Sequence, residues 1–178
     1  ADDFKIFCKK RSDAVKLFEA TKQWLLERLG LEISSEKSKI VNLKRHYSEF
    51  LDFKLKARTK GKKPDGQPSY VVEAHIKDKE LQKIREKSKE IIGQIRQTYD
   101  PGMEYRLIQK YNSYVMGVHN YYCIATHVNM DFHKIAFDVK KSLYNRLKHR
   151  LQKSGQITNR YIKEKYGTSR EVRYLNGH

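Results

Sequence analysis

The chain has 178 residues, enough to bury the core of one domain or of two small ones. It carries 38 lysines and arginines against 21 aspartates and glutamates, a formal net charge of +17, which indicates a polyanionic partner. Cys8 and Cys123 stand far apart, which excludes a spaced zinc cluster and a disulfide framework, and there is neither a signal peptide nor an apolar run of transmembrane length. We therefore expect a soluble intracellular protein that does not bind membranes.

Positive charge and tyrosine are both concentrated toward the C-terminus. Residues 134–178 hold 12 basic side chains against 3 acidic ones, and ten of the 12 tyrosines lie from Tyr99 onward. Tyrosine can stack on nucleic-acid bases, although we expect more than half of these rings to fill a helical core instead. The composition favours nucleic acid as the partner.

An aspartate pair, Asp2-Asp3, precedes an apolar segment at residues 4–9 that is predicted as a strand. Adjacent carboxylates repel each other, and a divalent cation with hard oxygen ligands would relieve that repulsion. The alternative is an ordinary polar end of the chain. The pair alone does not decide between a metal site and a polar terminus.

The next elements are a helix and a series of short strands. Apolar residues recur at helical spacing over 13–29, with Ser12 as a plausible N-cap and Gly30 at the position that follows a helix end. Short strands are predicted at 31–33 and 39–43, separated by a turn over 34–37. Residues 50–57 and 69–75 are predicted to form a β-hairpin. Its long tip carries Lys60, Lys62 and Lys63, which are interpreted either as a solvated turn or as an RNA contact.

Three helices are predicted after residue 76, over about 78–98, 103–128 and 132–152. Asp100-Pro101-Gly102 separates the first two, and Asn129-Met130-Asp131 forms the turn and cap before the third. Three long helices with short connections indicate a helical bundle. Few acidic residues stand near the positive charge on and after the third helix, so phosphate contacts explain that charge better than a solvated face does. The residues concerned are Lys140, Lys141, Arg146, Lys148, Arg150, Lys153, Arg160 and Lys163.

The ordered series of motifs resembles the reverse transcriptase/maturase encoded by bacterial group II introns. Ala1-Asp2-Asp3 is similar to the Tyr-Ala-Asp-Asp box without its tyrosine, and Leu29–Lys39 is similar to the next palm block, with Ser35 where proline is usual. Phe50–Leu55 resembles the Phe-Leu-Gly-Phe block, with Asp52 where glycine is usual. Tyr111–Tyr114 and the Tyr121-Tyr122 pair resemble parts of the thumb.

The resemblance implies an α+β fold in three parts. Residues 1–58 would be the C-terminal portion of a polymerase palm, 59–75 a basic hairpin and joint, and 76–178 an all-α three-helix thumb, also called maturase domain X. The expected location is the bacterial cytoplasm. The expected partners are intron RNA and an RNA template–DNA primer duplex.

The resemblance also implies a reaction, RNA-directed DNA synthesis by two-metal nucleotidyl transfer. Asp2 and Asp3 would hold Mg²⁺, Lys37 would lie near the nucleic acid or the dNTP, and the thumb would grip A-form duplex through phosphates and 2′-hydroxyls. The fingers and a further upstream aspartate would come from a segment N-terminal to Ala1, so we expect this chain alone not to polymerise DNA. The alternative is a non-catalytic maturase module that binds intron RNA and assists splicing.

Overall fold

The computed structural model describes residues 3–147, 156–157 and 170–171. The fold is α+β, with four helices and a three-stranded antiparallel sheet in the described residues. The elements in chain order are α1 (Arg11–Leu29), β1 (Ser48–Phe50), β2 (Phe53–Lys62), β3 (Pro68–Ile76), α2 (Asp78–Gln97), α3 (Pro101–Tyr122), α4 (Val128–Leu147), β4 (Gln156–Ile157) and β5 (Arg170–Glu171). The chain divides into two compact units, Ala1–Glu73 and Ala74–His178.

Helix α1 confirms the predicted helix, with a different N-cap. Lys10 holds the N-cap position without a side-chain hydrogen bond, whereas Ser12 lies inside the helix and its hydroxyl donates to Asp13. The predicted C-terminal glycine is confirmed, because Gly30 has φ 64° and the Leu31 N–H bonds back to the Leu25 carbonyl. None of the residues of α1 is buried, so its apolar residues recur at helical spacing without being buried in a core.

The predicted strands at 4–9, 31–33 and 39–43 are wrong, because the structure has no strand in these segments. A strand forms only where a neighbour supplies the other half of a hydrogen-bond ladder. The Leu43 carbonyl accepts from the Ala57 N–H of β2 at 2.9 Å, but one such bond does not make a ladder. Residues 4–9 are held to the first unit by a side chain instead. The Lys5 ammonium donates to the Ser48 hydroxyl and lies 5.7 Å from the centre of the Phe50 ring.

The predicted hairpin is confirmed as β2 and β3, and β1 adds a third strand that the sequence pattern did not reveal. Strand β1 pairs antiparallel with β2, with Phe50 opposite Phe53, which leaves Leu51-Asp52 as a two-residue turn. The prediction of a long basic tip is wrong. Lys60 and Lys62 belong to β2, and the turn is short because the Lys63 N–H donates to the Gln67 carbonyl at 2.7 Å.

The second unit is built on α2, which packs against both α3 and α4. All five core positions predicted for α2, namely Leu81, Ile84, Ser88, Ile91 and Ile95, are buried. Asp100 does more than end α2, since its carboxylate accepts from the Met103 N–H and so caps α3 with Pro101 in the first turn.

The boundary between the second and third predicted helices is displaced toward the N-terminus. Helix α3 ends at Tyr122 rather than at 128, and α4 begins at Val128 rather than at 132. The predicted core positions of α4 are confirmed for Phe132, Ile135, Val139 and Leu143. These positions fix which side of α4 faces the bundle.

Two short strands follow α4, where β4 pairs antiparallel with β5. The predicted RNA-binding residues Lys148, Arg150, Lys153, Arg160 and Lys163 lie outside the described residues. Across the helices that are described, none combines the length and the apolar character that crossing a membrane requires.

Candidate nucleic-acid interface

Of the aspartate pair, Asp3 belongs to the described residues and Asp2 lies outside them. Asp3 is exposed and belongs to neither a helix nor a strand. Within the described ranges, no group of three or more His, Cys, Asp or Glu side chains could hold a metal ion. The described residues therefore do not by themselves fit the Mg²⁺ site that the resemblance implies, and we derive no metal-dependent step from them.

Predicted nucleic-acid contacts in the first unit lie on a turn and on the hairpin. Lys37 is exposed in the turn over residues 35–37, and Lys60, Lys62 and Lys63 are exposed at the distal end of β2. These four side chains are available to anions. The structure brings the three hairpin lysines together along one strand end, whereas Lys37 lies elsewhere in the chain.

Cation–aromatic pairs involve tyrosines of the first unit, at Tyr70 on β3 and at Tyr47 just before β1. The Lys44 ammonium lies 4.1 Å from the centre of the Tyr70 ring, and Lys56 lies 5.1 Å from that of Tyr47. The Tyr47 hydroxyl donates to Glu73, whose second carboxylate oxygen lies 3.5 Å from the Arg58 guanidinium. The Glu73 carboxylate partly neutralises the positive charge of Arg58, whereas Lys60, Lys62 and Lys63 are exposed at the end of the hairpin.

The most coherent candidate surface lies on α4, on the side opposite its buried residues. Positions three, four and seven apart share one face of a helix. We define the α4 outer face as the seven exposed residues Met130, His133, Lys134, Phe137, Lys140, Lys141 and Tyr144. None of them is acidic, and two of the predicted RNA-binding residues, Lys140 and Lys141, are among them.

Large apolar side chains protrude from this face. The exposed fractions are 61% for Met130, 71% for Phe137 and 64% for Tyr144. These three residues are seven positions apart, so they form a single row along the helix with the basic side chains between them. A row of exposed rings among cations is the combination that nucleic-acid surfaces use for bases and phosphates.

Arg146, a predicted RNA-binding residue, points to a different neighbour. Its guanidinium donates to the Lys89 carbonyl at 3.1 Å, and it lies so close to Gly93 that a Cβ there would be 2.6 Å from Arg146 Nη1. Arg146 thus holds the end of α4 against α2. Asp138 and Arg85 make a second link between these helices, at 2.8 Å.

A buried carboxylate fixes the opposite end of α4. Asp131 is 0% exposed and accepts from the Ile76 N–H at 2.9 Å and from the Lys134 ammonium at 2.8 Å. His75 Nδ1 lies 2.9 Å and 3.0 Å from its two oxygens, and His75 stacks on His127. Because an ionised carboxylate only accepts, the proton of this contact is on His75 Nδ1.

The environment of Asp131 determines its charge. Burial raises the pKa of the carboxyl, but the hydrogen bonds from Lys134, from the Ile76 N–H and from His75 outweigh burial and hold that pKa below its ordinary value of 3.8. The carboxylate is therefore ionised at neutral pH. It ties the end of β3 to the first turn of α4, which sets where the outer face begins.

Comparisons with protein families, with curated proteins and with solved structures found no match for this chain. The functional interpretation therefore depends on the residues themselves.

A groove of about 810 Å³ lies between α2 and α3, with Tyr114, Gly117 and Tyr121 on its α3 side. Tyr114 and Tyr121 share a helix face as predicted, but only Tyr114 is half-buried, and burial raises the pKa of its hydroxyl. Tyr121 is exposed and meets Tyr122 edge to face. The rim on the α2 side consists of ion pairs between Lys83 and Glu80 and between Lys87 and Glu90.

Sequence reasoning missed the apolar members of the α4 outer face and the role of Asp131. The spacing of Met130, Phe137 and Tyr144 was a usable signal, because all three fall outside the buried stripe of the same helix. The partner of Asp131 gave no such signal. His75 is 56 residues away, so only the fold brings the two side chains together.

Proposed function

We propose that this chain is a portion of a reverse transcriptase/maturase of the group II intron kind, and that its helical unit binds structured RNA. The observation that carries the proposal is the α4 outer face, where three lysines and a histidine are exposed and none of the seven residues is acidic. The ordered palm and thumb motifs of the sequence supply the family. Intron RNA and a template–primer duplex are the proposed partners.

Phosphate contacts explain why charge is concentrated on such a face. Each phosphate that a lysine neutralises releases condensed counterions, which provides affinity without reading sequence. The exposed lysines at the end of β2 supply further positive charge in the first unit. Binding of this kind recognises the shape of folded RNA.

The catalytic part of the proposal depends on the resemblance. Asp2 and Asp3 are the proposed Mg²⁺ ligands of an RNA-directed DNA polymerase, and further ligands and the dNTP-binding fingers would come from another segment of the protein. The second candidate is a non-catalytic maturase module. The strong excess of basic residues in 134–178 fits both candidates equally, because it serves RNA binding with or without polymerisation.

The RNA-binding proposal is tested by measuring the affinity of the chain for a folded intron RNA across a salt series. The affinity should fall steeply with salt, and Lys140→Ala/Lys141→Ala should reduce the slope of log K against log[salt] by roughly 1.4–1.8. Lys83→Ala/Lys87→Ala removes the same charge from ion-paired positions on α2 and should change the slope less. An affinity that barely responds to salt would contradict the proposal.

The polymerase proposal is tested with the protein expressed from its complete reading frame. Asp2→Ala should abolish primer extension on an RNA template and leave splicing assistance intact, because the carboxylate would serve only nucleotidyl transfer. Retained primer extension in this variant would exclude Asp2 as a metal ligand. Loss of both activities would contradict separable polymerase and maturase functions.

A further inference from the structure

The α4 outer face contains a seven-residue pattern that occurs twice. Met130 is followed after two residues by His133-Lys134, then Phe137 is followed after two residues by Lys140-Lys141, and Tyr144 closes the row. The pattern alternates one apolar side chain with one basic pair along the helix axis. A face that only needed charge would not expose two aromatic rings by 71% and 64% of their surface.

We propose that this face binds unpaired RNA, with one base stacked on Phe137, a second base stacked on Tyr144, and the phosphates between them on Lys140 and Lys141. The inference rests on the proposed RNA-binding function and specifies the form of RNA that this face takes. Bases have a π-face regardless of identity, so stacking of this kind tolerates many sequences.

The spacing of the rings favours unpaired over paired RNA. Seven residues of α-helix span about 10.5 Å, so Phe137 and Tyr144 are separated by roughly three base steps of ~3.4 Å. In an A-form duplex the base faces are closed within the stack, and the exposed minor groove offers edges and 2′-hydroxyls. Two rings this far apart can each take a base only from a loop, a bulge or a single strand, whose bases are splayed.

Other occupants fit the face less well. A lipid surface would need a continuous apolar band, whereas each apolar residue here is flanked by basic residues, and the apolar stripe of α4 is already buried in the bundle. A helical protein partner would need two apolar positions in each heptad, and the outer face has one. The absence of acidic residues on the face complements a polyanion.

The test measures binding of the full 178-residue chain to two RNAs by fluorescence anisotropy, an unstructured single strand and a blunt duplex of the same length. Phe137→Leu/Tyr144→Leu keeps apolar side chains and removes both rings. It should weaken single-strand binding by tenfold or more and duplex binding by less than twofold, because stacking is lost only where bases are unpaired. Lys140→Ala/Lys141→Ala should weaken binding of both RNAs.

Matched controls separate this surface from the rest of the chain. Tyr99, on the connection between α2 and α3, is 90% exposed, so Tyr99→Leu removes an equally accessible ring from another site and should leave both affinities unchanged. Tyr144→Phe keeps the ring and should retain single-strand affinity. Far-ultraviolet circular dichroism should show the same helix content for every variant, since the substituted side chains are exposed.

The outcomes distinguish the two proposals. Equal weakening of both RNAs by the ring variant, or no weakening, overturns base stacking, while the lysine variant still reports on phosphate binding and on the proposed function. Ring-dependent binding to vesicles of phosphatidylserine that exceeds binding to RNA overturns the inference in favour of a lipid surface. Absence of salt-dependent binding to either RNA overturns both proposals.

Discussion

Replacing Asp131 by asparagine is expected to destabilise the second unit, because its carboxylate joins the end of β3 to α4. The Asp131 carboxylate is fully buried and receives hydrogen bonds from Lys134, from the Ile76 N–H and from His75. A hydrogen bond to a charged group contributes about 1.5–3 kcal/mol, and Asp131→Asn removes the charge from these bonds, although the half-exposed Lys134 ammonium remains solvated. Asparagine keeps the shape and one carbonyl acceptor, so we expect Asp131→Asn to lower the free energy of unfolding by about 3 kcal/mol.

The assay is urea unfolding followed by circular dichroism, with amide exchange to locate the loss to the first turn of α4. Asp138→Asn is the matched control, since Asp138 lies on the same helix and bonds Arg85 at 2.8 Å but is partly exposed. An exposed ion pair contributes only about 0.2–1 kcal/mol. A cost for Asp131→Asn no larger than that for Asp138→Asn would refute the reasoning.

The pH dependence of this difference follows from the pKa of Asp131. Because the folded-state pKa lies below the ordinary value of 3.8, the carboxylate contributes fully above that value and loses its contribution as the pH falls through the lower folded-state pKa. The gap in unfolding free energy between the wild-type protein and Asp131→Asn should therefore be constant at neutral pH and shrink in acid. A gap that widened as the pH fell below 3.8 would contradict the assigned direction.

Three smaller effects are expected on stability, each measured by chemical denaturation. Ser88→Ala should stabilise by about 1 kcal/mol, because the buried Ser88 hydroxyl has no hydrogen-bond partner among the described residues. Ser113→Ala at an exposed position of α3 reports helix propensity alone, and an equal gain there would remove the argument. Leu51→Gly should stabilise by about 1 kcal/mol, because Leu51 has φ 49°. Asp52→Gly should bring no gain, and the opposite order of these two variants would contradict the turn geometry. Asp100→Ala should destabilise by about 1 kcal/mol through loss of the α3 cap, with faster amide exchange in its first turn, and unchanged exchange there would show that the cap is dispensable.

The turn at Leu51-Asp52 interrupts the segment 50–57 that the sequence predicts as one strand. In the motif that this segment resembles, glycine is usual at the position of Asp52. In the structure Leu51 has a positive φ and Asp52 does not, so the backbone at position 52 does not require a glycine. The apolar pattern of residues 50–57 predicted a continuous strand there, whereas the pairing of Phe50 with Phe53 makes Leu51-Asp52 a turn.

The helices and the early strands differ in how far sequence could predict them. In α2, a 3.6-residue apolar period coincides with acidic residues in the first turn, and both signals are local, so its existence and its core positions are right. The segments at 4–9, 31–33 and 39–43 carried apolar residues, yet strand formation depends on a partner distant in sequence. The α4 outer face was partly predictable from sequence. Assigning Phe132 and Val139 to the core leaves Phe137 and Tyr144 on the opposite side of the helix.

The buried carboxylate and the outer face share one side chain, which links the stability of α4 to its proposed binding. The Lys134 ammonium donates one hydrogen bond to Asp131, while half of the side chain is exposed on the outer face. An ammonium has three donors, so a phosphate can still be bound by a group whose position is already fixed, at a lower cost in side-chain entropy. The same link makes Lys134→Ala an ambiguous variant. It would remove a hydrogen-bond donor from the buried Asp131 carboxylate as well as a phosphate contact. Lys140→Ala/Lys141→Ala leaves the hydrogen bond between Lys134 and Asp131 in place, so a loss of RNA affinity in that variant does not come from the loss of this bond.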